Sequence, residues 1–338
     1  MTMQDPTVHA ATEVASLYLP PEILLMIIEC LGVSFFQENI GRLALFKRWY
    51  SLSLATFFTN IRYTPRVLSR LVNCKGKKLD RSRAMLKKTL RSVNIVLEGI
   101  GPGSDPSVRC FDTASNLCCF GLMLMAFPEL RSVSYSAKWA NRGWKGDPLQ
   151  FDYLPLRSIK PYLILPHLKF LDLDLCGTAI KNQEGGLVHF CPFIQPLLSK
   201  LEGLRLKMRR ICMDAVSINE DQTVTVKDLT INLYLGEVSN ENPKLNSAMC
   251  CFSPKPWYWS SPIDELRHEL KALAIRMPQP QCARIIHLTP SGWVHTWNSR
   301  EDRCVTERTE RKRSFPLLEN WDKGECFSRR TGASSCGH

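Results

Sequence analysis

The chain has 338 residues, which is enough for one large or two modest domains with a sizeable buried core. Its composition, 44% hydrophobic and 22% charged, is ordinary for a globular protein and argues against intrinsic disorder. The formal charge is +12, but no apolar run reaches the roughly 18 residues of a membrane span, and no secretory signal opens the chain. We therefore expect an intracellular protein, in the cytoplasm, the nucleus or both, without membrane contact.

The first predicted element is a short helix. Residues 1–16 are expected to form a disordered tail, and the helix lies within LPPEILLMIIECLG at 19–32. Its two prolines suit a first helical turn, where a missing N–H costs nothing, and Glu22 favours the positive end of the helix dipole. Gly32 is a plausible stop because glycine tolerates the left-handed conformation that ends helices.

This helix carries apolar residues on both sides. One face holds Ile23, Leu24, Ile27, Ile28 and Leu31, and the other side adds Leu25 and Met26. A surface helix is normally polar on its outer face. The pattern leaves two interpretations open, an ordinary core helix or a helix shared with a protein partner.

A second helical pattern follows at 40–54, IGRLALFKRWYSLSL, and again both of its sides are apolar. Phe57, Phe58 and Ile61 continue the pattern into a third short element. Three small helices in about 45 residues can barely build a core of their own. Such a unit is more credible if it docks on a partner.

These residues resemble the F-box family. The resemblance is carried by Leu19-Pro20-x-Glu22-Ile23-Leu24, by Ile27, Ile28 and Leu31, and by Leu43-x-Leu45-x-Lys47-Arg48-Trp49-Tyr50. It implies a three-helix module over residues 17–62 that binds the small Skp-type adaptor of cullin–RING ubiquitin ligases. One side of the first helix would then serve the module's core and the other side the adaptor.

The resemblance also implies roles for single residues. It assigns adaptor binding to Leu19, Pro20, Ile23, Leu24, Ile27, Leu31, Leu43 and Leu45, and the module's core to Ile28, Trp49 and Tyr50. Two features depart from the family and can weaken adaptor affinity. Leu45-Phe46 stands where the family often has Val-Cys, and the connector at 33–36 is unusually apolar.

The positive charge is concentrated in one segment. Residues 62–91 hold eleven Lys and Arg against a single acid, Asp80. We interpret residues 63–89 as a basic linker helix. Binding of nucleic acid or another anionic surface is the alternative, although only Tyr63 is available there for base stacking.

A leucine pattern recurs through the next two hundred residues. Apolar residues stand at offsets 0, 3, 5 and 7 in five segments, which start at Leu90, Leu130, Leu168, Leu201 and Val226. A sixth segment starts at Leu156 but meets Pro161. The L-x-x-L-x-L core is typical of a leucine-rich-repeat strand, in which alternate residues face the interior.

Successive starts of the five segments are 40, 38, 33 and 25 residues apart, whereas regular repeats of this type run about 20–29 residues. The region also resembles the leucine-rich portion behind F-box modules in fungal proteins. We therefore predict an α+β chain: the F-box module followed by an irregular leucine-rich-repeat-like α/β solenoid over residues 90–298. The alternative is an α/β domain whose strands share composition by chance.

The C-terminal part predicts an amphipathic helix at 263–276 and two strands within 284–297 around a Pro-Ser-Gly turn. Residues 299–338 are expected to form a charged, partly disordered tail. The fourteen cysteines are scattered, without a C-x-x-C pair, so we interpret them as reduced and mostly buried.

No enzyme motif is present, and neither a cofactor nor a metal is expected. Asp172 and Asp174 alternate with leucines and should share one face, but nothing else supports a catalytic carboxylate pair. The predicted function is a substrate-recruiting adaptor of a cullin–RING ubiquitin ligase. The module would bind the Skp-type adaptor, and the leucine-rich region an unknown protein target.

Overall fold

A computed structural model describes residues 19–73, 84–98, 110–138, 153–175, 179–186, 188–208, 211–219, 221–234, 262–278, 282–288 and 293–308. These residues form a mixed α and β structure around one large, mostly parallel sheet. The predicted tail at 1–16 and the segment 309–338 lie outside the described residues.

The helices are α1 (Pro21–Glu38), α2 (Lys47–Phe57), α3 (Pro65–Asn73), α4 (Cys110–Leu124), α5 (Leu156–Leu163), α6 (Cys191–Ile194) and α7 (Pro262–Arg276). Short 3-10 helices cover Ile40–Ala44, Gln195–Ser199 and Met213–Ala215, and residues 84–89 are also helical. The predicted C-terminal amphipathic helix is confirmed as α7.

The strands are β1 (Asn60–Tyr63), β2 (Ser92–Glu98), β3 (Ser132–Lys138), β4 (Tyr153–Pro155), β5 (Phe170–Asp174), β6 (Ala179–Lys181), β7 (Gly203–Met208), β8 (Asp228–Tyr234), β9 (Cys282–Leu288), β10 (Trp293–Asn298) and β11 (Arg303–Arg308). Nine of them form the large sheet in the order β1-β2-β3-β5-β7-β8-β9-β10-β11. Neighbours from β1 to β9 are parallel, and β9, β10 and β11 pair antiparallel. The short strands β4 and β6 pair separately.

The five leucine segments are confirmed as the parallel strands β2, β3, β5, β7 and β8. They pair in one constant register, in which the second apolar position of each segment lies beside that of the next: Val93, Val133, Leu171, Leu204 and Leu229. All five side chains are buried, because alternation along a strand sends every second residue to the core face. The predicted pair of C-terminal strands is confirmed as β9 and β10.

A repeated backbone contact precedes each of these strands. One carbonyl oxygen accepts two N–H groups from the next segment along the sheet, at N···O distances of 2.7–3.2 Å. The five accepting carbonyls belong to Thr59, Arg91, Arg131, Lys169 and Glu202. For example, the Arg131 carbonyl accepts from the backbone N–H groups of Lys169 and Phe170. The contact satisfies backbone groups at the strand entrances and keeps successive strands aligned.

Two predicted boundaries are corrected. The predicted basic linker helix, residues 63–89, is not a separate linker in its described parts, 63–73 and 84–89, since Tyr63 ends β1, which pairs with β2, and Leu68, Leu71 and Leu86 lie in the main core. Residues 303–308 belong to the sheet as β11 rather than to a tail. The sixth segment, which begins like the five leucine segments but meets Pro161, is helix α5, because its apolar residues at i, i+3 and i+7 also fit a helix.

Helices α4 and α5 pack closely through a glycine. A Cβ placed on Gly121 would lie 2.7 Å from the Cβ of Pro161 and 3.3 Å from the ring of Tyr162. The Tyr162 hydroxyl donates a 2.8 Å hydrogen bond to the Leu117 carbonyl in the same interface. Glycine is therefore required at this position by the approach of the two helices.

We expect Gly121→Ala to destabilise the protein. Alanine gains about 1 kcal/mol of helix propensity over glycine, but overpacking against a rigid proline costs about 1–3 kcal/mol. The net loss should appear as a lower midpoint in urea denaturation. The control on the same helix is Leu122→Ala, since Leu122 is 53% exposed. A higher midpoint for Gly121→Ala would show that the interface has spare volume.

The last strands carry a stacked histidine pair, of which His287 is buried and His295 partly exposed. The rings of His287 and His295 stack with centroids 4.8 Å apart. Burial lowers the pKa of His287 to about 4, with further contributions from His295 and the Arg267 charge. His287 is therefore neutral in the folded protein at neutral pH.

We expect His287 to make the fold sensitive to mild acid. An unfolded histidine takes up its proton near pH 6.5, whereas folded His287 does so near pH 4. The unfolded state therefore binds more protons between these values, and stability falls as pH drops from 6.5 towards 4. Melting temperatures of His287→Phe should fall less steeply over that range than those of the wild type. Equal slopes, with exposed His268→Phe as the control, would contradict this assignment.

Candidate docking face on the first helix

Local backbone features set the limits of α1. Pro21 lies in the first turn, and the Leu24 N–H donates to the Pro20 carbonyl at 3.1 Å. Gly32 has a φ of 71°, so the regular helix breaks there before continuing to Glu38. The expected stop at Gly32 is thus a kink, in a conformation that glycine adopts without steric cost.

One side of α1 faces a small core of its own. We call this the N-terminal core; its fully buried members are Leu24, Ile28, Phe36, Leu43 and Trp49. The Trp49 indole N–H donates a 2.8 Å hydrogen bond to the Arg42 carbonyl, which fixes the ring between α1 and α2. The N-terminal core is a separate cluster from the main core under the sheet.

Arg42 holds the end of α1 against the following turn. Its guanidinium donates to the Phe35 carbonyl at 2.8 Å and pairs with Glu38 at 3.0 Å. The same group lies over the Phe35 ring, 4.3 Å from its centroid. These contacts orient the 3-10 helix that brings Leu43 into the N-terminal core.

The face of α1 next to the buried one is apolar and exposed. We call it the exposed row; its members are Ile23, Met26, Ile27 and Leu31. Ile23, Ile27 and Leu31 follow each other at i, i+4 and i+8, so they form one stripe along the helix. Their exposed fractions are 40%, 39% and 37%, and that of Met26 is 60%.

The predicted adaptor-binding residues divide into two groups. Pro20, Ile23, Ile27, Leu31 and Leu45 are exposed, and Leu45 has an exposed fraction of 58%. By contrast, Leu24 and Leu43 are buried in the N-terminal core, and Leu19 packs against it. Leu24 lies about 100° around the helix from Ile23, and this rotation turns its side chain inward.

The predicted core residues also divide. Ile28 and Trp49 lie in the N-terminal core, but Tyr50 does not, because 46% of it is exposed. Tyr50 follows Trp49 directly, so the two side chains leave α2 on different sides. Three residues therefore differ from the roles implied by the family resemblance. Tyr50, expected in the core, is exposed, and Leu24 and Leu43, expected to contact the adaptor, are buried.

The basic segment retains an exposed charged surface. Among the described residues of 60–73 and 84–91, the exposed cationic ones are Arg62, Arg66, Arg70, Lys87, Lys88 and Arg91. Those two ranges contain no acidic residue. Asp80 lies outside the described residues.

The polar face of the sheet carries paired charges. Asp172 and Asp174 lie on one face, as predicted, while Leu171 and Leu173 are buried on the other. Asp174 pairs with Lys207 at 3.1 Å, and Asp172 accepts a 3.4 Å hydrogen bond from the Ser134 hydroxyl. Asp172 and Asp174 therefore each interact with a polar side chain of a neighbouring strand.

One group of described residues has the donor atoms and spacing of a metal site. It consists of His189, Cys191 and Cys212, whose potential ligand atoms all lie within 4.8 Å of one another. The sequence analysis did not find this group because its members are far apart along the chain. His189 and Cys191 lie at or just before the start of α6, whereas Cys212 lies 21 positions after Cys191. No periodicity connects the two segments.

No protein-family model, no curated protein and no solved structure matches this chain significantly. Within the part of the chain that the structure describes, no helix is long and apolar enough to cross a membrane.

Neighbouring isoleucines provide a test of this geometry. Ile28→Ala should cost about 2–5 kcal/mol because it empties part of the N-terminal core. Ile27→Ala should cost less than about 1 kcal/mol, since Ile27 belongs to the exposed row. Amide hydrogen exchange of α1 and α2 in the full chain would measure both effects. If both variants lost the same amount of protection from amide hydrogen exchange, Ile27 would contribute to the core as much as Ile28, which would contradict this assignment.

Proposed function

We propose that this protein is an F-box-type, substrate-recruiting subunit of a cullin–RING ubiquitin ligase. The observation that carries the proposal is the exposed row on α1. It is a continuous apolar stripe on a helix whose adjacent face already contributes to the N-terminal core. An outer face of this kind is typical of a protein-docking surface.

The energetics favour a partner on this face. Burying a fully exposed Ile, Leu or Met side chain contributes about 1.5–3 kcal/mol, and the exposed row, with exposed fractions of 37–60%, can gain the corresponding part of it from each side chain. Among the side chains that the structure describes, five are buried in the N-terminal core, so the core is small and docking would also stabilise the module that makes the contact. A protein partner that covers the exposed row would therefore both bury its apolar side chains and stabilise the N-terminal core.

The partner proposed is the Skp-type adaptor. The argument is the resemblance of Leu19-Pro20-x-Glu22-Ile23-Leu24 and Lys47-Arg48-Trp49-Tyr50 to the F-box family, with thirty residues from Leu19 to Trp49. In this proposal the contact surface is Pro20, Leu45 and the exposed row. Leu24 and Leu43 contribute through the N-terminal core that positions α1.

The sheet is proposed to recruit the target. Five leucine segments in a constant parallel register, each with the same carbonyl contact, support an irregular leucine-rich-repeat-like solenoid. Its polar face, with Asp172, Asp174, Arg205 and Lys207, offers charges of both signs to a protein target. The protein would act without chemistry of its own, by holding the target near the ubiquitin-carrying enzyme.

The test is binding of the full chain to a purified Skp-type adaptor. We expect a one-to-one complex with the wild type and at least about 100-fold weaker binding for Ile23→Asp/Ile27→Asp, a loss of about 2.8 kcal/mol. The matched control is Leu122→Asp/Ile275→Asp, two exposed apolar residues on other helices. Titration calorimetry measures the affinities, and circular dichroism checks that each variant is folded.

Two outcomes would overturn the proposal. One is a folded wild-type chain that does not bind the adaptor at micromolar concentration. The other is equal weakening by the control pair, because the effect would then not depend on α1. Loss of binding in the α1 variant alone supports the assignment.

A second candidate function is binding of nucleic acid or another anionic surface through residues 62–91. It is favoured by the exposed Arg and Lys residues of α3 and of residues 84–91, which have no acid among them. Contacts with phosphates would make the affinity fall steeply with salt. Binding of a duplex that persists unchanged at high salt would count against it.

A further inference from the structure

A group of metal-binding side chains lies away from α1 and from the polar face of the sheet. It is contributed by two short segments, His189-x-Cys191 before β7 and Cys212-x-Asp214 after it. His189 and Cys191 lie at the start of α6, and Asp214 lies in the 3-10 helix Met213–Ala215. Each segment thus supplies two donor residues separated by a single position.

The donor atoms converge. The Nε2 atom of His189 lies 3.1 Å from the Sγ atom of Cys212, and all three ligand atoms of His189, Cys191 and Cys212 are within 4.8 Å of one another. Zinc with bonds of about 2.3 Å to sulfur and 2.0 Å to nitrogen would separate tetrahedral ligands by roughly 3.5–3.8 Å. Small side-chain rotations therefore suffice to place all three around one ion.

A carboxylate lies beside the three convergent donors. The Oδ2 atom of Asp214 lies 3.7 Å from the same Nε2 atom of His189 that approaches Cys212. A carboxylate that merely oriented the ring would lie at the other nitrogen, Nδ1. Asp214 approaches the ring nitrogen that faces the two sulfurs, and its side chain is 61% exposed, so it can reach a bound ion from the solvent side.

The surroundings also favour bound thiolate. The backbone N–H of Cys212 donates to the Sγ atom of Cys191 at 3.4 Å, which stabilises negative charge on that sulfur. Cys191 is buried whereas His189 is partly exposed, so the group has one dry side and one side open to solvent. An ion can enter from the open side.

We propose that His189, Cys191, Cys212 and Asp214 form a zinc site. Two sulfurs, one imidazole nitrogen and one carboxylate oxygen match the donor types of Zn²⁺, and four ligands close a tetrahedron. The ion cross-links the segment before β7 to the segment after it. Its role is structural: it fixes the two connections that flank β7, the fourth of the five leucine-pattern strands.

The cross-link has a consequence for stability. Metal binding to the folded chain adds its binding free energy to folding, whereas the unfolded chain has no preformed site. Removing the ion should therefore lower the melting temperature of the wild-type protein. The proposal is independent of adaptor binding, since none of the four residues lies in α1 or in the N-terminal core.

The first test is metal content of the purified full chain. We expect one zinc per wild-type chain by inductively coupled plasma mass spectrometry, and little zinc in His189→Ala or Cys212→Ala. The matched controls are His167→Ala and Cys119→Ala, an exposed histidine and an exposed cysteine elsewhere in the chain. Both controls should retain wild-type zinc.

Absorption spectroscopy of the cobalt-substituted protein identifies the ligand types. With Co²⁺ in place of zinc, the wild type should show thiolate-to-metal charge-transfer absorption and the strong visible bands of a tetrahedral site. Cys212→Ala should lose much of the charge-transfer intensity. Asp214→Asn should keep both sulfurs but bind at least about tenfold more weakly, since even outer groups of metal sites contribute that much.

Three results would overturn the proposal. The first is a folded wild-type chain that holds no zinc and develops no cobalt spectrum. The second is wild-type zinc content in a folded His189→Ala variant. The third is a disulfide between Cys191 and Cys212 in the freshly purified protein, detected by peptide mass spectrometry, because oxidised sulfurs cannot ligate the ion.

Discussion

The repeated carbonyl contact at the strand entrances is the constraint on which the rest of the sheet depends. Each accepting carbonyl, from Thr59 to Glu202, binds two N–H groups of the next segment, so every strand begins at the same level. Side chains alternate along a strand, and a shift of one residue would turn every leucine from the core to the polar face. The contact therefore keeps the leucines of five segments in one core, although the segments are unevenly spaced along the chain.

The two hydrophobic cores meet at the end of α2. Phe57 packs against the N-terminal core and Phe58 against the main core, and their rings contact each other at 5.4 Å between centroids. The next residues enter β1, which pairs with β2. Consecutive residues thus connect the two cores without a flexible spacer. A partner on α1 would be held at a defined position relative to the sheet, as a subunit that presents a target requires.

Local patterns predicted much of the sheet. The offsets 0, 3, 5 and 7 located β2, β3, β5, β7 and β8, because alternation in a strand is a property of neighbouring residues. The same reasoning failed where one pattern fits two structures. The segment from Leu156 became a helix, and the basic residues of 62–91 concealed the apolar positions Leu68, Leu71 and Leu86, which lie in the main core.

The sequence by itself determined where α1 begins and that it is interrupted at Gly32, that the five leucine segments, β9 and β10 are strands, and that α1 is apolar on both sides. These properties depend on backbone preferences and on residues a few positions apart. Only the tertiary structure decided which apolar residues of α1 face outward, because Leu24 and Ile28 are buried only once Trp49 and Phe36 pack against them. The proximity of His189 and Cys191 to Cys212 was likewise decided only by the tertiary structure. The packing of separate strands, rather than any local preference, determines which distant side chains lie together.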